Sequence, residues 1–197
     1  MFRSLPPATR GLLLANIVAY ILESVLGDGF IIRFALWPPG PYFEPWQLIT
    51  YAFLHQPFPG YTHILFNMLA LFMFGASLEQ FLGSRRFTVY YFACLLAAGL
   101  TQLTVVGATG ALEPTYGASG AIFGLLLAYA MFFPRQRILV FFAIPMPAWL
   151  FVTLYGVAEL YLGVAGRQQS VAHFAHLGGM LGGAVMLLYW RVRQVFR

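Results

Sequence analysis

Charged side chains are scarce in this sequence. Asp, Glu, Lys and Arg make up only 9% of its 197 residues, whereas about 25% is usual in a soluble domain. Hydrophobic residues make up 60%, which is more apolar surface than a soluble fold of this length can bury. The composition therefore excludes a disordered chain and a soluble fold, and it indicates a protein whose solvent is the lipid bilayer.

Lysine is absent, and all eleven basic residues are Arg. Their positions follow the ends of apolar segments and form no phosphate-binding patch, so we expect no nucleic-acid partner. In a six-span arrangement nine of them fall on one side, and only Arg33 and Arg167 fall on the other. This positive-inside bias predicts that both termini are cytoplasmic. Because no transit peptide is recognisable, we expect the plasma (inner) membrane of a prokaryote.

Cysteine and aspartate each occur once, as Cys94 and Asp28. One Cys excludes a disulfide framework, and its apolar surroundings favour a packing role. One Asp excludes an aspartyl intramembrane protease, which needs two. No His is followed by Glu, so the His-Glu-x-x-His motif of a membrane zinc protease is absent. We expect neither a metal ion nor another cofactor, and among hydrolytic chemistries serine chemistry remains.

Six apolar segments approach the length of about 20 residues that a membrane-spanning helix needs. We predict an all-α integral membrane protein, a six-transmembrane-helix bundle forming a single domain over residues 1–197. The expected spans are approximately 11–26, 62–82, 87–106, 118–133, 147–163 and 171–190. The stretch 27–61 is too apolar for an ordinary loop and holds six prolines. It predicts a long membrane-embedded first loop of short helices with aromatic residues at the interface.

A serine at the start of the fourth span is the first candidate for chemistry. Ser119 lies between Gly117 and Gly120, where unpaired backbone N–H groups and the helix dipole favour a developing negative charge. The motif alone has a structural interpretation as well. Gly120 and Gly124 form a small-xxx-small face, and serines are common in such packing faces.

A histidine in the sixth span is the second candidate. His176, Gly179 and Gly183 are spaced i, i+3 and i+7, so they share one helical face. If these glycines pack against Gly120 and Gly124, His176 lies beside Ser119 and can serve as its base. A buried histidine bonded to a carbonyl is the alternative, and it is favoured for His173.

The second span opens with His63 and Asn67, spaced i, i+4. Their side chains point the same way, and two N–H groups aimed at one position form a plausible oxyanion hole. Asn also provides hydrogen bonds between membrane helices, which is the structural alternative here.

Together these motifs resemble the rhomboid intramembrane serine proteases, and the chain is similar to their minimal six-helix form. The resemblance runs from about Trp46 to Leu188. It also includes Gly75-x-x-x-Glu79-x-x-x-Gly83-Ser84 and Ile144-Pro145-Met-Pro147-Ala-Trp149.

The resemblance implies a dyad of Ser119 and His176 without a third acid. It also implies an oxyanion hole built from the Ser119 backbone N–H with the side chains of His63 and Asn67. The implied substrates and partners are transmembrane segments of other proteins, cut near the outer membrane face.

Two positions depart from the family pattern. Phe123 stands where some members have Tyr, and we expect its ring to orient His176. Gln47 follows Trp46 where the family often has Arg, so a loop-bracing charge is missing. Two other functions stay open, namely a catalytically inactive member that binds transmembrane helices and a small transporter. The few charges in the spans and the lack of an inverted repeat argue against the transporter.

Overall fold

The computed structural model describes residues 5–56, 60–140, 143–166 and 172–195, and it is mostly helical. A π-helical segment, Leu71–Gly75, joins the helices Tyr61–Ala70 and Ala76–Leu82 without a break, and a 3-10 turn covers Tyr51–Phe53. The helices are α1 (Pro7–Leu26), α2 (Asp28–Phe34), α3 (Gln47–Thr50), α4 (Tyr61–Ala70), α5 (Ala76–Leu82), α6 (Ser84–Thr109), α7 (Ser119–Phe132), α8 (Ala148–Val164) and α9 (His173–Val195).

Each of the six predicted spans corresponds to a helix within a few residues at its ends. Within the described ranges, three helices are long and apolar enough to cross a membrane: α1, the continuous helix Tyr61–Leu82, and α6. The apolar helices α7 and α8 are shorter, with 14 and 17 residues, and α9 has 23. A six-span count therefore stays a prediction. Residue 171, the first of the sixth predicted span, lies outside the described residues, as do Arg3, Arg167 and Arg197.

Helix α7 lies at the centre of the bundle. It packs against α6 and α9, which also pack against each other. Its residues from Gly120 to Leu126 are all buried. Small residues allow this crowding: a Cβ atom added at Gly182 of α9 would overlap Ala97 of α6, and one added at Gly178 would meet Thr101. No sequence pattern had distinguished these two glycines from the others in the span.

The first loop contains the short helices α2 and α3. Gln47, at the start of α3, is fully buried and occupies the position of the missing Arg. Its side-chain oxygen accepts hydrogen bonds from the backbone N–H groups of Trp37 and Glu44, and its amide nitrogen donates to the backbone oxygens of Arg33 and Tyr42. A neutral amide therefore braces this loop. The position of the loop relative to the membrane stays a prediction.

A two-stranded antiparallel hairpin that was not predicted connects α7 to α8. Strand β1 (Arg137–Val140) pairs with β2 (Ile144–Pro147), with Arg137 opposite Pro147 and Val140 opposite Ile144. A four-residue strand is too short to show a clear alternation, and two prolines in β2 argue against a strand in the sequence. Both prolines lie in an edge strand of this hairpin, where they are tolerated.

Candidate active site

Three helices, α4, α7 and α9, begin at the same end of the bundle and bring the predicted residues together. Ser119 is the first residue of α7, and His176 lies in the first turn of α9. The Nε2 atom of His176 lies 2.8 Å from the Oγ atom of Ser119, within hydrogen-bond distance. The backbone N–H of Ser119 has no partner inside its helix, because the first turn of a helix leaves its donors unpaired.

Glycine permits this approach of α7 to α9. A Cβ atom added at Gly179 would overlap the backbone oxygen of Gly120, and one added at Gly124 would lie 2.9 Å from the backbone oxygen of Gly179. The predicted contact between the two small-residue faces is therefore present at Gly120, Gly124 and Gly179. Gly183 differs from the expectation. It faces Tyr90 and Cys94 of α6, because a residue four positions after Gly179 points about 40° further round the helix.

Phe123 lies one turn after Ser119 and packs on the histidine. Its ring is stacked on the imidazole of His176, with ring centroids 4.2 Å apart and planes 6° from parallel. Phe123 also contacts the ring of Tyr155 on α8. These contacts limit rotation of the imidazole, and the orienting role of Phe123 stays a prediction.

A third residue, which is acidic, lies beside His176, whereas the family resemblance implied a pair without one. The Oε2 atom of Glu159, on α8, lies 2.9 Å from Nδ1 of His176 and 2.7 Å from Nδ1 of His173. Glu159 and both histidines are buried. The available signal was the position of Glu159 itself, since an acidic residue in the middle of an apolar segment is unusual. No sequence motif indicated that Glu159 would lie next to His176.

The same three side chains could also surround a metal ion, because their ligand atoms lie within 4.8 Å of one another. Atoms that share a tetrahedral zinc ion lie roughly 3.3 Å apart, given zinc–nitrogen bonds of about 2.0 Å. The separations of 2.7 and 2.9 Å are shorter and match hydrogen bonds. The geometry therefore favours protons over an ion between these atoms.

The residues predicted for the oxyanion hole lie next to Ser119. A Cβ atom added at Gly117 would lie 3.0 Å from Nε2 of His63 and 3.7 Å from Oγ of Ser119, so the space above this glycine is shared by both groups. The φ angle of Gly117 is 130°, which other residues rarely adopt. The Nδ1 atom of His63 accepts the backbone N–H of Gln56. The proton of a neutral His63 ring is therefore on Nε2, facing Ser119.

Asn67 is buried one turn below His63, and its side-chain nitrogen donates to the His63 backbone oxygen over 2.8 Å. That bond uses one of its two N–H groups and leaves the other for a ligand.

His55, in the first loop, packs against His63, and this contact was not predicted. Its ring is fully buried and meets the ring of His63 edge to face, with centroids 5.1 Å apart. Burial, aided by the neighbouring His63, lowers the pKa of His55 to about 3. The ring is therefore neutral at physiological pH.

Comparisons with known proteins agree with these motifs. The family model described as "Rhomboid domain" matches residues 42–193. Rhomboid protein 1 from mitochondria of Saccharomyces cerevisiae is 38% identical over 148 residues, covering 71% of this chain and 40% of that protein. Rhomboid protease GlpG of Serratia proteamaculans is 30% identical over 190 residues, covering 95% of this chain and 64% of that protein.

Rhomboid protease GlpG of Klebsiella pneumoniae is 28% identical over 191 residues, covering 91% of this chain and 62% of that protein. The chain thus spans between 40% and 64% of the length of these three relatives. Because the family model covers well over half of the sequence, the chain belongs to the rhomboid family of membrane proteins.

Proposed function

We propose that this protein is an intramembrane serine endopeptidase that cleaves transmembrane segments of other membrane proteins near the outer membrane face. The distance of 2.8 Å between Ser119 Oγ and His176 Nε2 carries the proposal. A serine hydroxyl becomes a useful nucleophile when an adjacent base removes its proton. Two relatives bear the name rhomboid protease, which supports the same activity here.

Ser119 attacks the carbonyl carbon of the scissile peptide bond, and His176 Nε2 takes the hydroxyl proton. The tetrahedral intermediate then collapses, and His176 donates that proton to the leaving amine. Water repeats the two proton transfers to release the acyl group from Ser119. Phe123 holds the imidazole plane during these steps.

The negative oxygen of the intermediate lies above Gly117. The backbone N–H of Ser119, Nε2–H of His63 and the free N–H of Asn67 donate to it. Such donors stabilise the transition state more than the ground state, because the charge develops only during attack. The absence of a side chain at Gly117 keeps this space open.

Six membrane spans with cytoplasmic termini, in a prokaryotic inner membrane, complete the proposal. This topology would put the start of α7, and hence Ser119, near the outer face. The arginine distribution supports it, because nine of eleven fall on one side. We expect the reaction to need no metal ion or other cofactor.

Reconstitution into liposomes with a single-pass transmembrane peptide tests the proposal. The peptide carries small residues near its outer end and a fluorophore–quencher pair across that region. Wild-type protein should cleave it, EDTA should not stop cleavage, and Ser119→Ala should be inactive although folded. Binding of the peptide without cleavage would instead support the inactive helix-binding alternative.

A further inference from the structure

We propose that Glu159 is a positioning residue that fixes the proton on Nδ1 of His176 and stabilises the imidazolium during catalysis. This inference rests on the proposed serine endopeptidase function. It replaces a two-residue pair with a linear arrangement of Ser119, His176 and Glu159. Glu159 itself touches neither the substrate nor the reacting atoms.

The geometry defines the tautomer of His176. An ionised carboxylate only accepts hydrogen bonds, so an ionised Glu159 at 2.9 Å selects the tautomer of His176 with its proton on Nδ1. Nε2 is then unprotonated and can accept the hydroxyl proton of Ser119, which lies 2.8 Å away. With the proton on Nε2 instead, His176 could not act as the base.

The charge of Glu159 has a second effect. After His176 takes the proton of Ser119, the ring carries a positive charge in a buried site, where an isolated charge is unfavourable. A carboxylate 2.9 Å away compensates this charge. The compensation exists only once the proton has moved, so it lowers the barrier and leaves substrate binding unaffected.

His173 explains how the carboxylate is held in place. Its Nδ1 atom lies 2.7 Å from the same Oε2 atom that contacts His176. An ionised carboxylate oxygen can accept two such bonds. The side chain of Glu159 therefore has a second anchor on α9, three residues before His176, which limits its rotation.

A purely structural link between α8 and α9 is the competing explanation, and kinetics separate the two. Glu159→Gln keeps the shape and an accepting oxygen but removes the charge. We expect kcat to fall roughly 10- to 100-fold with KM within twofold, since transition-state interactions act on kcat. Glu159→Asp retains the charge on a shorter side chain, so its kcat should lie between those of Glu159→Gln and wild type.

Glu79→Gln is the matched control. Glu79 is also a buried glutamate that accepts several hydrogen bonds, from Thr9, Ala8 and Ser84, where α1, α5 and α6 meet. That cluster lies at the end of the bundle opposite Ser119. Loss of the Glu79 carboxylate should lower the thermal stability, while kcat of the folded protein stays within about twofold of wild type.

Nitrogen-15 NMR of histidine-labelled protein in micelles reads the tautomer directly. The sequence has only four histidines, so His→Gln variants assign the signals. The wild type should show His176 protonated on Nδ1. A wild-type signal with the proton on Nε2 overturns the inference, and this measurement decides the matter even if Glu159→Gln does not fold.

Failure of the inference differs from failure of the proposed function. If the wild type cleaves the transmembrane peptide and Glu159→Gln has unchanged kcat, or only a changed KM, Glu159 is structural and the positioning role is wrong. If the wild type neither cleaves nor reacts at Ser119 with a fluorophosphonate, the proposed function itself is wrong.

Discussion

Phe123 and His176 lie face to face, with ring centroids 4.2 Å apart and planes within 6° of parallel. The stack joins α7, which carries the serine, to α9, which carries the histidine. It holds the imidazole edge toward Ser119, and Glu159 fixes the opposite edge. An imidazole with both edges and one face in contact has little freedom to leave the orientation that accepts a proton.

Removing the aromatic ring at Phe123 should slow the chemistry. Phe123→Leu keeps an apolar side chain but loses the stack, so we expect kcat to fall about tenfold through misalignment of His176. Phe123→Tyr keeps the ring and serves as the control, with activity within about threefold of wild type. Equal activities for Leu and Tyr would show that the stack does not orient His176. Steady-state cleavage of the transmembrane peptide measures both.

Asn67→Ala should lower kcat on the order of 100-fold while KM changes little, because its free N–H contacts the oxyanion only as charge develops. His63→Ala should reduce kcat at least as much. A defect confined to KM would assign Asn67 to helix packing alone, since Asn67 also donates to the backbone oxygen of His63. Single-turnover rates separate the two outcomes.

Gly117→Ala should abolish cleavage. The added Cβ would lie 3.0 Å from Nε2 of His63, in the space proposed for the oxyanion. Gly110→Ala is the control, because Gly110 also has a positive φ, of 71°, but faces open space. It should lose on the order of 1 kcal/mol of stability and keep its activity. Similar losses of activity in both variants would attribute the effect to backbone strain.

Gly179→Val should lose both stability and activity. Its side chain would overlap the backbone of Gly120 and push α9 away from α7. We expect a loss of about 1–3 kcal/mol or more, and a shift of about 1 Å at the catalytic pair lowers the rate about 100-fold. Gly163, near the end of α8, is an unsuitable control, because a Cβ there would lie 3.2 Å from His173 and Phe174.

Gly107→Val is the better comparison. Gly107 lies in α6 with no atom within 4 Å of an added Cβ. Thermal denaturation and cleavage should both remain near wild type. If Gly179→Val matched Gly107→Val in both measurements, close approach of α7 and α9 would not be needed for the pairing of Ser119 with His176.

The proximity of Ser119 and His176 was predictable because local patterns carried the information. The spacing of His176 and Gly179 defines one helical face, and a helix start defines the surroundings of Ser119, and the two side chains do lie 2.8 Å apart. Glu159 was missed because its relationship to His176 depends on how α8 packs against α9. No spacing along the chain encodes that angle.

In the fold, too, local patterns predicted the helices but not the details of their packing. Helix positions followed from apolar segments, because burial in lipid and burial in protein both select long apolar runs. Which neighbouring helix each glycine of α9 faces was not predictable from the glycine spacing alone. Gly178, Gly179, Gly182 and Gly183 provide small residues on two faces, and only packing shows that Gly183 faces α6. Likewise, the sequence indicated a missing charge at Gln47 but not the four hydrogen bonds that its amide makes.

Labelling of Ser119 with a fluorophosphonate, mapped by mass spectrometry, tests the central claim most directly. Only a serine activated by a base reacts readily with such a probe. Wild-type protein in liposomes should be labelled at Ser119, His173→Ala should keep substantial labelling, and Ser119→Ala and His176→Ala should show none at this site. Undiminished labelling of His176→Ala, or an unlabelled wild type that is folded, would contradict the assignment of Ser119 as the nucleophile and His176 as its base.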